Sequence, residues 1–213
     1  GSSMSNVTFL INGNGANGST TIADTSPLLR TITPSGNAQI TTAQSLFNGS
    51  SIAFDGTGDF LTITDQRVVE QGGSADWTIE CSVRLNTAAA CILINKAIGT
   101  GLYPYQLWFN GTRFALRGFD STSAQVYDQS ALADAVLGTW YRLTAERDGN
   151  TIRLYVNGII QATTNIGAVS LFPDGAPITI GAYSTGTGSL NGQMAEIRGT
   201  FGLARYRGNY TPY

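Results

Sequence analysis

Several aromatic side chains lie in or beside turn-rich stretches of the sequence, where they could bind a sugar. A Tyr or Trp ring can cover the apolar C–H side of a pyranose, while Asn, Asp, Arg or Gln hydrogen-bonds its hydroxyls. Trp108 is out of phase with Tyr105, Leu107 and Phe109, so it should face the opposite side of its strand. Alternatively, such rings cover the core or an oligomer contact. The candidate carbohydrate-binding residues are Tyr103, Tyr105, Trp108, Asp120, Gln125, Tyr127 and Tyr183.

The composition excludes several other functions. The chain contains no histidine, which removes the commonest general base and the commonest zinc ligand. Its net charge is −2 and Lys96 is its only lysine, so we expect no nucleic-acid partner. No apolar run is long enough to span a bilayer, so we expect no membrane insertion. The N-terminus lacks the pattern of a secretory signal, which favours a virion or cytoplasmic origin.

Short segments with period-two alternation predict β-strands throughout the chain. Trp77–Leu85 alternates apolar and polar residues, and Trp140–Gln161 contains three such segments joined by turns at Gly149 and Gly158. Roughly a dozen short antiparallel strands need two stacked sheets to bury their apolar faces. We therefore predict an all-β, two-sheet antiparallel β-sandwich. Gly1–Ser3 are typical of a tag remnant, and residues 4–213 should form a single domain.

The two cysteines, Cys81 and Cys91, are expected to be free. If residues 78–85 and 91–96 formed a hairpin, antiparallel pairing would place Cys91 near Leu85 and Cys81 near Asn95. That separation exceeds the roughly 7 Å between Cα atoms that a disulfide tolerates. Buried thiols are therefore the favoured interpretation.

Several motifs resemble the laminin G-like domains of the concanavalin A-like lectin/glucanase superfamily, and some are similar to a branch found in tailed-phage virion proteins. The resemblance runs from Val7 to Tyr213 and implies a jelly-roll sandwich. It implies no single function, because the superfamily includes lectins, hydrolases, adhesion modules and spacers. The sequence departs from the usual pattern at Asn14, where Asp is common, and at Ser82, where an aromatic is common. The matching motifs are 14–20, 36–40, 54–61, 76–80, 139–143, 148–158 and 204–212.

Calcium is the one metal that the sequence favours. It prefers six to eight oxygen ligands, and glycines allow the chain to wrap around it. In related domains a structural calcium joins the first strand, the turn that here contains Asp55 and Asp59, and the penultimate strand. Alternatively, the two aspartates bond turn amides. The candidate ligands for one structural calcium ion are Asn14, Asp55, Asp59 and Glu196.

Catalysis is not favoured by the sequence. Hydrolases of the superfamily place paired carboxylates in a Glu-x-Asp-x-Glu run, and no such run occurs here. We therefore predict a non-catalytic carbohydrate-binding or adhesion module of a phage virion protein (tail, fibre or decoration) that is made in the bacterial cytoplasm. Its partners would be a bacterial cell-surface glycan or other virion proteins. A structural decoration or oligomerisation protein with no sugar ligand, which could form a homo-oligomer, is the alternative, and a glycoside hydrolase is a minor one.

Overall fold

The computed structural model describes residues 6–64, 73–97, 102–172 and 175–212. The predicted tag remnant, Gly1–Ser3, lies outside the described residues. Within these ranges the chain forms β-strands and no helix, so no described helix could cross a bilayer. The strands are β1 (Val7–Ile11), β2 (Ile32–Ser35), β3 (Gln39–Thr41), β4 (Ser51–Asp55), β5 (Phe60–Ile63), β6 (Trp77–Leu85), β7 (Cys91–Asn95), β8 (Gln106–Phe109), β9 (Phe114–Phe119), β10 (Gln125–Ser130), β11 (Trp140–Asp148), β12 (Thr151–Val156), β13 (Ile159–Asn165), β14 (Ile178–Ile180) and β15 (Asn191–Phe201).

The described strands form two antiparallel sheets. Sheet A has the order β13-β12-β11-β6-β15-β4-β3, and β1 pairs with β15. Sheet B has the order β10-β9-β8-β7-β14-β5-β2. The inner faces of both sheets contribute to one buried apolar cluster, which includes Phe9, Trp77 and Leu154. The predicted all-β sandwich is confirmed. Apolar residues at alternate positions give each sheet an apolar face, and the two sheets bury these faces against each other.

Turn chemistry sets the meander of β11, β12 and β13. Gly149 and Gly158 adopt positive φ angles of 58° and 79°, which glycine adopts without strain. At Gly158 a side chain would also collide with the backbone oxygen of Tyr210. The three strands therefore pair as the sequence predicts, and the chain near Tyr210 packs against the second turn.

The connection between β6 and β7 differs from the prediction. The sequence suggests a hairpin within one sheet, but β6 belongs to sheet A and β7 to sheet B. The intervening residues 86–90 thus carry the chain from one layer to the other. Cys81 and Cys91 are both free and buried, as predicted, although the assumed pairing of their strands is wrong. Burial raises the pKa of each thiol to about 12, so both are protonated near neutral pH.

Candidate functional site

A row of polar side chains crosses the outer face of sheet B, meaning the face that points away from sheet A. The strand register pairs Asn95 of β7 with Gln106 of β8, and Gln106 with Arg117 of β9. The neighbouring core-facing residues, Leu107 and Leu116, have no exposed surface. Because alternate residues point to opposite faces, the polar residues project outward, and so does Trp108 two positions after Gln106.

Hydrogen bonds hold this row in one arrangement. Gln106 donates through Nε2 to Asn95 Oδ1 at 2.8 Å and to the hydroxyl of Tyr183 at 3.0 Å. Its Oε1 accepts a hydrogen bond from Arg117 Nε at 2.8 Å. Both ends of the buried Gln106 amide are thereby occupied, and the guanidinium of Arg117 is fixed beside them.

The Arg117 guanidinium lies over two aromatic rings. Its central carbon is 4.3 Å from the Trp108 ring centroid and 5.9 Å from that of Tyr103. Such cation–π contacts orient the cation and keep one side of it dry. Tyr103 in turn meets Phe119 edge-on, with 4.9 Å between ring centroids.

Next to this pair lies a shallow pocket of about 150 Å³. Apart from the guanidinium and the tyrosine hydroxyl, its walls are mainly apolar, because aliphatic side chains of β7 and aromatic rings form them. Shallow apolar walls beside an indole suit the C–H face of a sugar ring better than they suit an ion alone. The pocket is lined by Ala90, Cys91, Ile92, Trp108, Arg117, Tyr183 and Gly188.

The loop after β14 places Tyr183 at the pocket. Ile92 N–H donates to the carbonyl of Gly188 at 2.9 Å, which ties the loop to β7. Gly188 has φ of 64°, and a Cβ atom there would lie 3.3 Å from the Tyr183 ring and 3.4 Å from Ile92. Glycine therefore allows the tyrosine, the loop and β7 to approach this closely.

The pocket contains a donor without an acceptor. Trp108 Nε1 is buried, and no described residue accepts its hydrogen bond. The terminal amino groups of Arg117 also have no hydrogen-bond partner among the described residues, since only its Nε is bonded. Because Trp108 Nε1 has almost no exposed surface, the Arg117 amino groups are the donors that the pocket leaves for a ligand.

The predicted carbohydrate-binding residues divide into three groups. Tyr103, Trp108 and Tyr183 come together at the pocket or its margin. Tyr105 and Tyr127 do not, because both are buried in the apolar core, where the Tyr105 ring lies 5.1 Å from that of Trp77. These two positions are corrections to the predicted set.

Asp120 and Gln125 lie at the turn between β9 and β10 rather than in the pocket. Asp120 Oδ1 accepts hydrogen bonds from the amides of Thr122 and Ala124 and from the Thr122 hydroxyl. These hydrogen bonds lower the pKa of Asp120, chiefly the one from the Thr122 hydroxyl. Its role in this structure is to close the turn.

The four candidate calcium ligands lie in two places. Asp55 pairs with Asn191 on β15, and Glu196 is five residues farther along that strand, so roughly 17 Å should separate them. Asn14 follows Gly13, whose carbonyl accepts from Ser50 just before β4, whereas Asp55 ends β4. No group of three metal-ligating acidic, cysteine or histidine side chains occurs among the described residues.

In the turn after β4, Asp59 is buried and bonds backbone amides. Its carboxylate accepts from Asn37 N–H at 2.7 Å and from Asp55 N–H at 2.9 Å. Asp55 accepts from Thr57 N–H. The register thus does not bring all four predicted ligands to one ion, and calcium binding at the turn stays a prediction.

The outer face of sheet A carries two fully buried carboxylates. Glu80 forms ion pairs with Arg142 at 3.0 Å and with Arg198 at 2.6 Å, and it accepts a hydrogen bond from the Tyr206 hydroxyl. Burial alone would raise the pKa of Glu80, but the two arginines and Tyr206 outweigh burial and lower it.

Glu146 and Asp148 are two residues apart on β11, a spacing that places both carboxylates on one face of the strand. Arg153 lies 3.4 Å from Glu146 and 3.1 Å from Asp148. Glu146 also accepts hydrogen bonds from the amides of Tyr206 and Arg207, which belong to the C-terminal segment. This segment, residues 202–212, therefore covers the pair, and the arginine holds both carboxylates.

Comparison with known families agrees with this architecture. A laminin G-type family model, described as the concanavalin A-like lectin/glucanases superfamily, matches residues 55–199. The chain belongs to this superfamily. No curated protein sequence matches the chain. As a concanavalin A-like domain it has the jelly-roll sandwich that the sequence motifs imply.

Solved structures similar to this concanavalin A-like domain include toxin binding domains. The binding domain of Paraclostridial Mosquitocidal Protein 1 matches with a TM-score of 0.74 and 14% identity, over 95% of this chain and 50% of that one. The botulinum neurotoxin serotype G binding domain gives 0.73 and 11%, over 94% and 48%. The serotype D ligand-binding domain in complex with N-acetylneuraminic acid gives 0.69 and 10%, over 95% and 48%. The chain spans about half the length of these domains, and at such identities the likeness shows the fold alone.

Sequence reasoning missed Asn95, Gln106 and Arg117, which build the site around Trp108. A signal was present for one of them, since Gln106 shares its phase with Trp108 on β8. Arg117 follows only from the register of β8 with β9, and Asn95 only from the pairing of β7 with β8.

Proposed function

We propose that this domain is a non-catalytic carbohydrate-binding module, and that its ligand binds the pocket beside Trp108 on the outer face of sheet B. The observation that carries the proposal is the Trp108 ring, which is partly exposed and borders an apolar pocket. An indole of this kind can stack on the C–H face of a sugar.

Known proteins support a glycan as the class of ligand. The serotype D domain was solved in complex with N-acetylneuraminic acid, and botulinum neurotoxin type C depends on two ganglioside molecules to enter cells. Those are properties of the longer toxin domains. The likeness covers 49% and 48% of those domains, so it supports a glycan only as a class of ligand for proteins that contain this fold.

The arrangement of acidic residues supports a binding role over hydrolysis. A glycosidase needs one carboxyl group with a raised pKa and a second carboxylate, with room between them for the sugar. Arg153 bridges the pair Glu146 and Asp148, and the C-terminal segment hydrogen-bonds Glu146. Among the described residues, the lining of the Trp108 pocket includes no carboxylate.

The test is a glycan array probed with the wild-type domain and with Trp108→Ala, each in the presence and absence of calcium. Loss of the stacking ring should weaken binding about tenfold or more. Trp140→Ala is the matched control, because Trp140 is also half-buried but lies in sheet A. Equal binding by wild type and Trp108→Ala, or no binding to any glycan, would contradict the proposal.

A structural role in an assembly is the second candidate, supported by exposed apolar side chains near the edge strand β13. Leu132 is 72% exposed and Ile159 is 51% exposed. Gln161 hydrogen-bonds the backbone of both residues: its Oε1 accepts from Leu132 N–H, and its Nε2 donates to the Ile159 carbonyl. Light scattering of wild type and Leu132→Ser tests this role: a stable oligomer that the substitution dissociates would favour it. The virion setting stays a prediction.

A further inference from the structure

The polar groups left open at the Trp108 pocket are donors. Gln106 has both amide ends occupied by Asn95, Tyr183 and Arg117. What remains are the terminal amino groups of Arg117, for which no acceptor occurs among the described residues. A ligand that satisfies them must bring acceptor atoms.

Arg117 has fewer hydrogen-bond and ion-pair partners than several other arginines of the domain. Arg142 and Arg198 pair with Glu80, and Arg113 pairs with Asp134 at 2.7 Å. Even Arg84, which has no carboxylate partner, donates to Gly138 O, Asn86 Oδ1 and Gln193 Oε1. Arg117 has one hydrogen-bond acceptor and no ion pair in the described part of the chain.

The nearest carboxylate in the register does not neutralise Arg117. Asp128 of β10 stands opposite Arg117 of β9, but its side chain is exposed and forms no ion pair within 4.0 Å among the described residues. The face of the guanidinium on Trp108 is shielded from water. A half-buried, unpaired guanidinium with a free fork is suited to bind a carboxylate with two parallel hydrogen bonds.

We infer that the Trp108 pocket binds an acidic saccharide, with the sugar ring against the indole and the sugar carboxylate on the terminal amino groups of Arg117. This inference rests on the proposed function and names the chemical class of its ligand. The carboxylate can belong to a sialic acid or to a uronic acid. Both present the same planar acceptor, and the experiment separates them.

The experiment measures the affinity of matched saccharides by titration calorimetry: 3′-sialyllactose against lactose, and a glucuronic-acid disaccharide against its glucose counterpart. In at least one pair the wild-type domain should bind the acidic member about tenfold or more tightly than the neutral one. The preference should weaken as salt is raised, because the pair is partly exposed to solvent.

Arg117→Gln should remove the preference, so that the acidic and neutral members of a pair bind with similar affinity. Arg113→Gln is the matched control, since Arg113 is on the same hairpin but already paired with Asp134. Arg117→Lys retains the positive charge but lacks the paired amino groups of the guanidinium, so it should retain only part of the preference for the acidic saccharide. If Arg117→Gln fails to fold, as judged by its circular dichroism, this lysine variant carries the comparison.

The outcomes separate the two proposals. Equal binding of acidic and neutral members, or an unchanged preference in the Arg117 variants, would overturn the inference and leave the carbohydrate-binding function standing. No binding of any saccharide would overturn both. A carboxylate preference that Arg117→Gln removes and Arg113→Gln does not would establish the inference.

Discussion

The outer faces of the two sheets differ in whether their charged side chains have partners of opposite charge. On sheet A, Glu80 is fully buried among Arg142, Arg198 and the Tyr206 hydroxyl, and the C-terminal segment covers it. On sheet B, Arg117 lies beside a pocket and has one neutral acceptor. Charges with complete partners serve to fix the fold, whereas a charge held in place without a counter-ion is available to a ligand.

Removing the Glu80 carboxylate from its ion pairs on sheet A should have the largest effect on stability. Glu80→Gln leaves Arg142 and Arg198 buried without their carboxylate, so we expect the free energy of unfolding to fall by about 3–5 kcal/mol. Urea denaturation measures this change. Asp134→Asn is the control, because its ion pair with Arg113 is exposed and should cost less than about 1 kcal/mol. Similar losses of unfolding free energy in both variants would contradict the difference between the two outer faces.

Acid should destabilise the domain through the same residue. The pKa of Glu80 is lowered in the folded state from its ordinary value of 4.5, so its stabilising contribution is complete above pH 4.5 and is lost as pH falls below it. Glu80→Gln should therefore flatten the dependence of unfolding free energy on pH in this range.

Glu196→Gln provides the opposite control for the acid effect. Burial raises the pKa of Glu196, and this effect outweighs the lowering by the neighbouring Arg142 and Arg198. Glu196→Gln should therefore not flatten the dependence of unfolding free energy on pH in the acid range. Equal slopes in wild type and Glu80→Gln would show that Glu80 does not keep its charge in the folded protein.

The smallest effect is expected from Asp128, the carboxylate opposite Arg117 in the register. Asp128→Asn removes an exposed negative charge beside the proposed anion site, so affinity for an acidic saccharide should rise about twofold at low salt. Affinity for the neutral counterpart should stay the same. A weaker interaction with the acidic member would place the ligand carboxylate away from Arg117.

The sequence predicts most of the strands because alternation and turn chemistry are local. Asn157-Gly158 and the alternating residues around it predict the meander of β11 to β13, which the structure confirms. The sheet to which a strand belongs is not a local property. Residues 86–90 could close a hairpin or cross between layers, and nothing in their composition distinguishes the two.

The same limit applies to the site. Trp108 could be placed on the outer face by its phase, and the phase of Tyr105 with Leu107 and Phe109 already indicated the core. Arg117 could not be connected to Trp108 from sequence, because their contact depends on the register of β8 with β9. Tyr183 depends on a loop that folds back over β7.

The most direct test of the account observes the indole N–H groups of the three tryptophans in a ¹H–¹⁵N spectrum during a saccharide titration. Trp77 is buried in the core and Trp140 lies in sheet A, whereas Trp108 lines the pocket. We expect the indole signal of Trp108 alone to shift as the saccharide binds. Saturable binding that leaves the Trp108 signal in place would contradict the account.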